Sequence, residues 1–149
     1  MARTLALDLG RARIGVAIDD ELGSMAHARG VFDARDRPKF LGQLAAMVKD
    51  EGVERIIVGF PVDLRGHEGD AARNARAMAQ LIADATQVSV ELWDERMTTM
   101  AAARSLTASG LTAKQAKTRI DEASAVEILE SWLGSRKKKK KKPDGVARG

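Results

Sequence analysis

Two short apolar runs, Thr4 to Leu9 and Arg13 to Asp19, are separated only by Gly10-Arg11-Ala12. A parallel crossover needs a dozen or more residues, so these runs can only pair antiparallel, turning at Gly10. The hairpin carries an oddity, because its first strand ends in a carboxylate, Asp8, beside the glycine turn. An ionised carboxylate taken out of water without a partner is strongly disfavoured. Such a group is normally paired, hydrogen-bonded or holding a metal. The rest of the chain can be read for what Asp8 works with.

A third extended segment is predicted from Ala28 to Asp33. Pro38 opens a helix through Lys49, with Phe40, Leu41, Leu44, Ala45 and Val48 on one face, and Gly52 stops it. Arg55 to Gly59 is a continuous β-branched run, the pattern of a strand covered on both faces. The loop Phe60 to Gly69 follows, punctuated by Pro61, Gly66 and Gly69. Asp70 reads as the cap of a helix to about Ala85, with Ala71, Ala75, Met78, Ala79 and Ile82 inward. Val88 to Trp93 is the last strand. Thr98 or Thr99 opens a helix to Ser109, Leu111 to Lys117 reads as a connector, and a final helix spans about Thr118 to Leu133. The order β-β-β-α-β-α-β-α-α predicts an α/β fold. Its five-stranded mixed sheet starts as an antiparallel meander, continues in parallel strands with right-handed crossovers, and carries helices on both faces.

At 149 residues the chain is long enough for one domain, assigned to residues 1–134, followed by a tail from 135 to 149. There is no cysteine, which excludes disulfides and thiolate metal sites. No apolar run approaches the ~18 residues of a membrane span, and a signal peptide's features are missing from the N-terminus. The expectation is a soluble cytoplasmic protein that does not engage a membrane. The net charge of +4 conceals two regions. From Ser135 onward, eight Arg and Lys face one Asp, leaving +7, whereas residues 1–134 hold 17 Arg plus Lys and 20 Asp plus Glu, leaving −3. Six consecutive lysines, Lys137 to Lys142, repel one another, so the basic tail is expected to be disordered. It would either attract phosphates without specificity or simply keep the chain in solution.

If the first, fourth and fifth strands run parallel, their carboxyl ends share one rim, where ligand sites of open α/β sheets gather. Asp8 ends the first strand and Glu95 lies just past the fifth. In the last helix Asp121, Ala125, Ile128 and Trp132 share one face, apolar except for Asp121 at its amino-terminal end. The competing reading makes Thr118 a helix cap and Asp121 its capping-box partner. Three gathered carboxylates repel, and at least one pKa should rise unless cations neutralise them. Oxygen donors suit Mg²⁺ or Mn²⁺ rather than zinc. Two such ions ~4 Å apart can activate a water, orient a phosphodiester and stabilise the leaving oxygen. His67, between Gly66 and Gly69, reads as a loop histidine or a proton shuttle. His27 reads as structural or surface, and Asp19, Asp20 and Glu21 as a solvated turn. Arg13, Arg65, Arg73, Arg76, Arg96, Arg104, Lys114, Lys117 and Arg119 are the candidate substrate contacts, with Arg13, Arg96, Lys117 and Arg119 foremost, since guanidinium and ammonium groups recognise phosphate. Phe32, Phe40, Phe60, Trp93 and Trp132 are the only aromatic residues. Backbone and shape recognition are therefore favoured over stacking on bases.

Four blocks in order now carry a resemblance: Asp8-Leu9-Gly10 with Ile14-Gly15-Val16-Ala17; Ile57-Val58-Gly59-Phe60-Pro61; Asp94-Glu95-Arg96-Met97-Thr98-Thr99; and Asp121 with Ser124-Ala125 and Ile128-Leu129. Together, over roughly Arg3 to Gly134, they resemble the YqgF/RuvX family. The resemblance implies a ribonuclease H-like fold related to Holliday junction resolvases. It also implies a role in pre-16S rRNA processing during ribosome maturation, with divalent-metal catalysis. Carried over by motif, the acidic set is Asp8, Glu95 and Asp121. Arg11-Ala12 stand where the family often has Thr-Lys, and Glu122 stands where Ser is common, adding a carboxylate near the site. Asp63 and Arg65 also differ from the usual residues of their loop.

The leading expectation is a nuclease for structured RNA, an rRNA precursor above all, with Asp8, Glu95 and Asp121 as ligands of two Mg²⁺ or Mn²⁺ ions. Its partners would be RNA and ribosomal precursor particles, and it could act as a monomer or a homodimer. Alternatives are a Holliday junction resolvase cutting branched DNA, for which two cuts favour a dimer, and a noncatalytic RNA-binding assembly factor. A phosphate-binding module of the actin and sugar-kinase type shares the Asp-x-Gly hairpin. It needs a second domain to enclose ATP, for which this length leaves no room.

Overall fold

The computed structural model describes residues 3–20, 25–61, 68–95 and 113–141, the stretches 113–120 and 137–141 by their backbone alone. In chain order these form β1 (Arg3–Leu9), β2 (Arg13–Asp19), β3 (Ala26–Asp33), α1 (Arg37–Glu51), β4 (Val53–Phe60), α2 (Asp70–Thr86), β5 (Ser89–Asp94) and α3 (Ala113–Lys141). The helix predicted from Thr98 or Thr99 to Ser109 lies outside the described residues.

The first hairpin closes as the three-residue spacing requires. The Gly10 amide donates to the Arg13 carbonyl at 2.9 Å. A Cβ on Gly10 would lie 2.5 Å from that oxygen, so the turn admits only glycine. The strand order is β3-β2-β1-β4-β5. The pairs β1–β2 and β2–β3 are antiparallel, and β1–β4 and β4–β5 are parallel. This is the predicted mixed sheet, with β1 at its centre and the carboxyl ends of β1, β4 and β5 on one rim. At the outer strand β3, Arg29 and Gly30 together oppose Val16. Gly30 has φ +96°, so it supplies the left-handed residue of a bulge that bends this edge.

Alternation along the strands divides the core into two layers. Leu5, Leu7, Val16, Ile56 and Val58 face one side, where Phe40 and Leu44 of α1 and Met78 and Ile82 of α2 cover them. Ala6, Ala17 and Ile57 face the other side, against Ala125, Ile128, Leu129 and Trp132 of α3. Because both faces are covered, β1, β2 and β4 read in sequence as nearly unbroken apolar runs.

Several local details differ from the sequence expectation. The N-cap of α2 is Gly69, with no side-chain cap, and Asp70 is the first helical residue. The buried face is Ala72, Ala75, Met78 and Ile82. Ala71 is exposed because it lies one helical step, about 100°, from that stripe. Helix α3 begins at Ala113 rather than at Thr118. The stretch from Ala113 to Lys117 contains only good helix formers, so nothing in it breaks the helix. The helix then passes through Gly134 and on to Lys141, beyond the predicted end at Leu133 and into the stretch assigned to the disordered tail. Lysine is itself a good helix former, and a single glycine costs only about 1 kcal/mol in a helix. Residues 142–149 lie outside the described residues. Asp19 also differs from the solvated turn expected there: it is 2 % exposed and accepts from the Thr4 amide at 2.9 Å. Its carboxylate thus ties the end of β2 to the amide of the second residue of β1.

Candidate active site

Asp8 is the next-to-last residue of β1, and its register partner on β2 is Gly15. One register step past the Leu7–Val58 pair, β4 offers Gly59 on the other side. The central carboxylate is therefore flanked by two residues without side chains, and each gap is used. A Cβ on Gly15 would overlap the backbone carbonyl of Asp121, so α3 rests directly on β2 at this point. A Cβ on Gly59 would lie 2.9 Å from Oε2 of Glu95 and 2.7 Å from Cδ1 of Ile128. Glu95 follows β5 immediately and folds its carboxylate over β4, toward Asp8.

Electrostatics report the same gathering. The Asp8 carboxyl is pushed up to about 7, first by burial, then by the charge of Glu95, then by that of Asp121. Glu95 is also raised, by burial and then by neighbouring Asp94. Asp121 is held from behind: Nε of Arg13, the first residue of β2, donates to its Oδ2 at 2.8 Å. The capping-box alternative for Asp121 fails, because Thr118 lies inside α3 rather than at its start. Glu122 does not join the cluster. Adjacent helix positions point about 100° apart, and its Oε2 faces Gly30 on β3.

Asp8, Glu95 and Asp121 thus share one neighbourhood at the carboxyl rim. Among the described residues no three acidic or imidazole side chains close on one point at the spacing that grips an ion. The donor chemistry still fits hard divalent cations. All the donors are oxygens, and the Asp8 carboxyl is destabilised by burial and like charge in a way a cation would relieve.

Of the basic residues singled out in the sequence, Arg13 stands beside the cluster, but its Nε is committed to Asp121. Arg96 and the side chains of Lys117 and Arg119 lie outside the described residues, as do Asp63, Arg65 and His67. His27 is an exposed residue of β3. Sequence reasoning missed the part played by Gly15 and Gly59, although both stand inside the motifs. Two glycines at matching offsets from an acidic strand end were the available signal. It also missed a cavity of about 380 Å³ on the α1 and α2 side of the rim, where Gly59 and Glu95 form part of the wall.

The family model RuvX, described as "Holliday junction resolvase", matches residues 2–135. A protein of Anaeromyxobacter sp. (strain Fw109-5) named "Putative pre-16S rRNA nuclease" is 42 % identical over 134 residues, which cover 90 % of this chain and 98 % of that one. One of the same name from Pelotomaculum thermopropionicum is 37 % identical over 144 residues, covering 96 % and 94 %. Among solved structures, T. thermophilus RuvC in complex with a Holliday junction substrate superposes with a TM-score of 0.57 at 12 % identity, over 92 % of this chain and 96 % of that one. The yeast mitochondrial Holliday junction resolvase gives 0.57 at 10 % identity, over 96 % and 82 %. These likenesses show the fold, which is ribonuclease H-like with the strand order described above. With the family model spanning nearly all of the chain outside its basic end, the chain belongs to the RuvX family.

Proposed function

We propose that this protein is a nuclease that hydrolyses phosphodiester bonds in structured RNA, with a pre-16S rRNA as substrate and Asp8, Glu95 and Asp121 as its catalytic carboxylates. The observation that carries this reading is the half-buried Asp8 at the carboxyl rim, with Glu95 laid over Gly59 on one side of it and Asp121 resting on Gly15 on the other. This arrangement raises its carboxyl first by burial and then by the charges of Glu95 and Asp121. A carboxylate held in that state is poised to take up positive charge, and perturbed groups of this kind cluster at functional sites. The names of the relatives support RNA as the substrate class.

The three carboxylates would hold Mg²⁺ or Mn²⁺, which when bound supply Lewis-acid polarisation of the phosphodiester and a more acidic water. The chain's own residues arrange the rest. Gly15 lets α3 bring Asp121 down to Asp8, and Gly59 lets Glu95 reach over β4. Arg13 holds the Asp121 carboxylate in place through Oδ2. Burial of the Asp8 carboxyl lowers the local dielectric and strengthens its charge interactions.

The test is cleavage of a labelled pre-16S 5′ segment by wild type, Asp8→Asn, Glu95→Gln and Asp121→Asn, with Mg²⁺ and with Mn²⁺. Each variant should lose cleavage by a hundredfold or more while keeping its fold. Wild-type rates in Asp8→Asn would end the assignment. The description of the family model favours a second reading, a resolvase of branched DNA. A four-way DNA junction matched in sequence to the RNA separates the two.

A further inference from the structure

The cavity beside the rim has a floor made by Leu9, Ile14, Phe40, Ala75 and Met78. Its rim carries Arg11, Arg37, Asn74 and Asp70, and part of its wall is Gly59 with Glu95, so Glu95 is the member of the acidic cluster that it meets. The two arginines stand out from the others whose side chains are described. Arg3, Arg13, Arg29, Arg35, Arg73 and Arg76 each meet a carboxylate. Arg55 and Arg136 lie over the ring of Trp132. Among the described residues Arg11 and Arg37 are the arginines without a carboxylate or ring partner, and both line the same cavity. Two uncompensated guanidinium groups above an apolar floor match a ligand that is anionic at one end and flat and apolar at the other.

We propose that this cavity receives one unpaired nucleotide of the substrate strand, next to the phosphodiester lying at Asp8, and this rests on the nuclease reading above. The base enters the apolar floor. Its phosphate lies on Arg11 and Arg37, whose planar forks donate two parallel hydrogen bonds. Asn74 offers both a donor and an acceptor to the base edge. At about 380 Å³ the cavity falls at the small end of the ~300–1,000 Å³ range of small-molecule sites, which suits one nucleotide rather than two. A base stacked in a duplex cannot enter it, so the site selects a strand whose nucleotide is unpaired or extruded beside the cut. The negative charge of Glu95 keeps the phosphate on the arginine side.

The experiment measures binding of a fluorescein-labelled single-stranded tetraribonucleotide by anisotropy, in EDTA so that nothing is cleaved. The same sequence in a blunt duplex is the comparison. Wild type should bind the single strand at least tenfold more tightly than the duplex, and Arg11→Ala with Arg37→Ala should weaken that binding at least tenfold. Ala71→Trp, at an exposed position on the cavity wall, should weaken it similarly without changing any charge or the urea midpoint. Equal binding of duplex and single strand overturns the proposal. So does an unaltered Ala71→Trp variant, even if the double arginine variant is weakened, because phosphate contact alone would then suffice. Full binding selectivity in a wild type that never cleaves sinks the nuclease reading and leaves the cavity standing. Flat binding with intact cleavage does the reverse.

Discussion

Replacing Asp8 by Asn should make the metal-free protein more stable at neutral and alkaline pH. In the folded chain the Asp8 carboxyl titrates at about 7, against 3.8 for the free group. Below the unfolded value both states carry the proton and burial of Asp8 costs little. As pH rises, the unfolded chain loses its proton first, so the folded state falls behind progressively until pH passes the folded value. A rise of roughly three pH units, at 1.36 kcal/mol for each, amounts to on the order of 4 kcal/mol. That is a large share of the 5–15 kcal/mol typical of a domain (roughly a third). Asn fills nearly the same volume and does not titrate, so it escapes this cost. Urea unfolding in EDTA should give similar midpoints for the two proteins near pH 4 and a gap opening up to pH 8. With a urea slope of about 2 kcal/mol per molar, the final gap is about 2 M. Parallel midpoints across that range would refute the placement of Asp8 in a buried, like-charged cluster. Saturating Mn²⁺ at pH 8 should then raise the wild-type midpoint and leave that of the variant nearly unchanged.

Three further outcomes follow from the same geometry. Gly15→Ala drives a methyl group into the Asp121 backbone, so it should lower stability by about 1–3 kcal/mol and reduce cleavage by displacing α3; a full-strength, fully active variant would contradict the close approach. Arg13→Ala should cost only ~1 kcal/mol or less in stability, because the pair with Asp121 is partly exposed, yet lower Mn²⁺ affinity measured by calorimetry, with Arg13→Lys partly restoring it; unchanged affinity would leave Arg13 with no role in orienting Asp121. Truncation after Arg136, which spares the guanidinium stacked on Trp132, should weaken RNA binding and flatten its salt dependence without lowering the cleavage rate at saturating RNA; identical salt slopes would refute a phosphate-binding tail.

The chain alone determined whatever depends on neighbours in sequence. Three residues between two apolar runs forced the first hairpin, and β-branched runs separated by amphipathic helices forced parallel crossovers. The acidic side chains at the two strand ends and on the apolar face of the last helix could be read directly, because periodicity is local. Tertiary structure alone decided how these pieces meet. Register set Gly15 and Gly59 on either side of Asp8, and the approach of one backbone to another made those two glycines openings for Asp121 and Glu95. It turned Arg13 toward Asp121, buried Asp19 against the Thr4 amide of β1, and left Arg11 and Arg37 together above an apolar cavity. No pattern along the chain encodes those outcomes, because each depends on which atoms lie within a few ångströms once segments distant in sequence have packed.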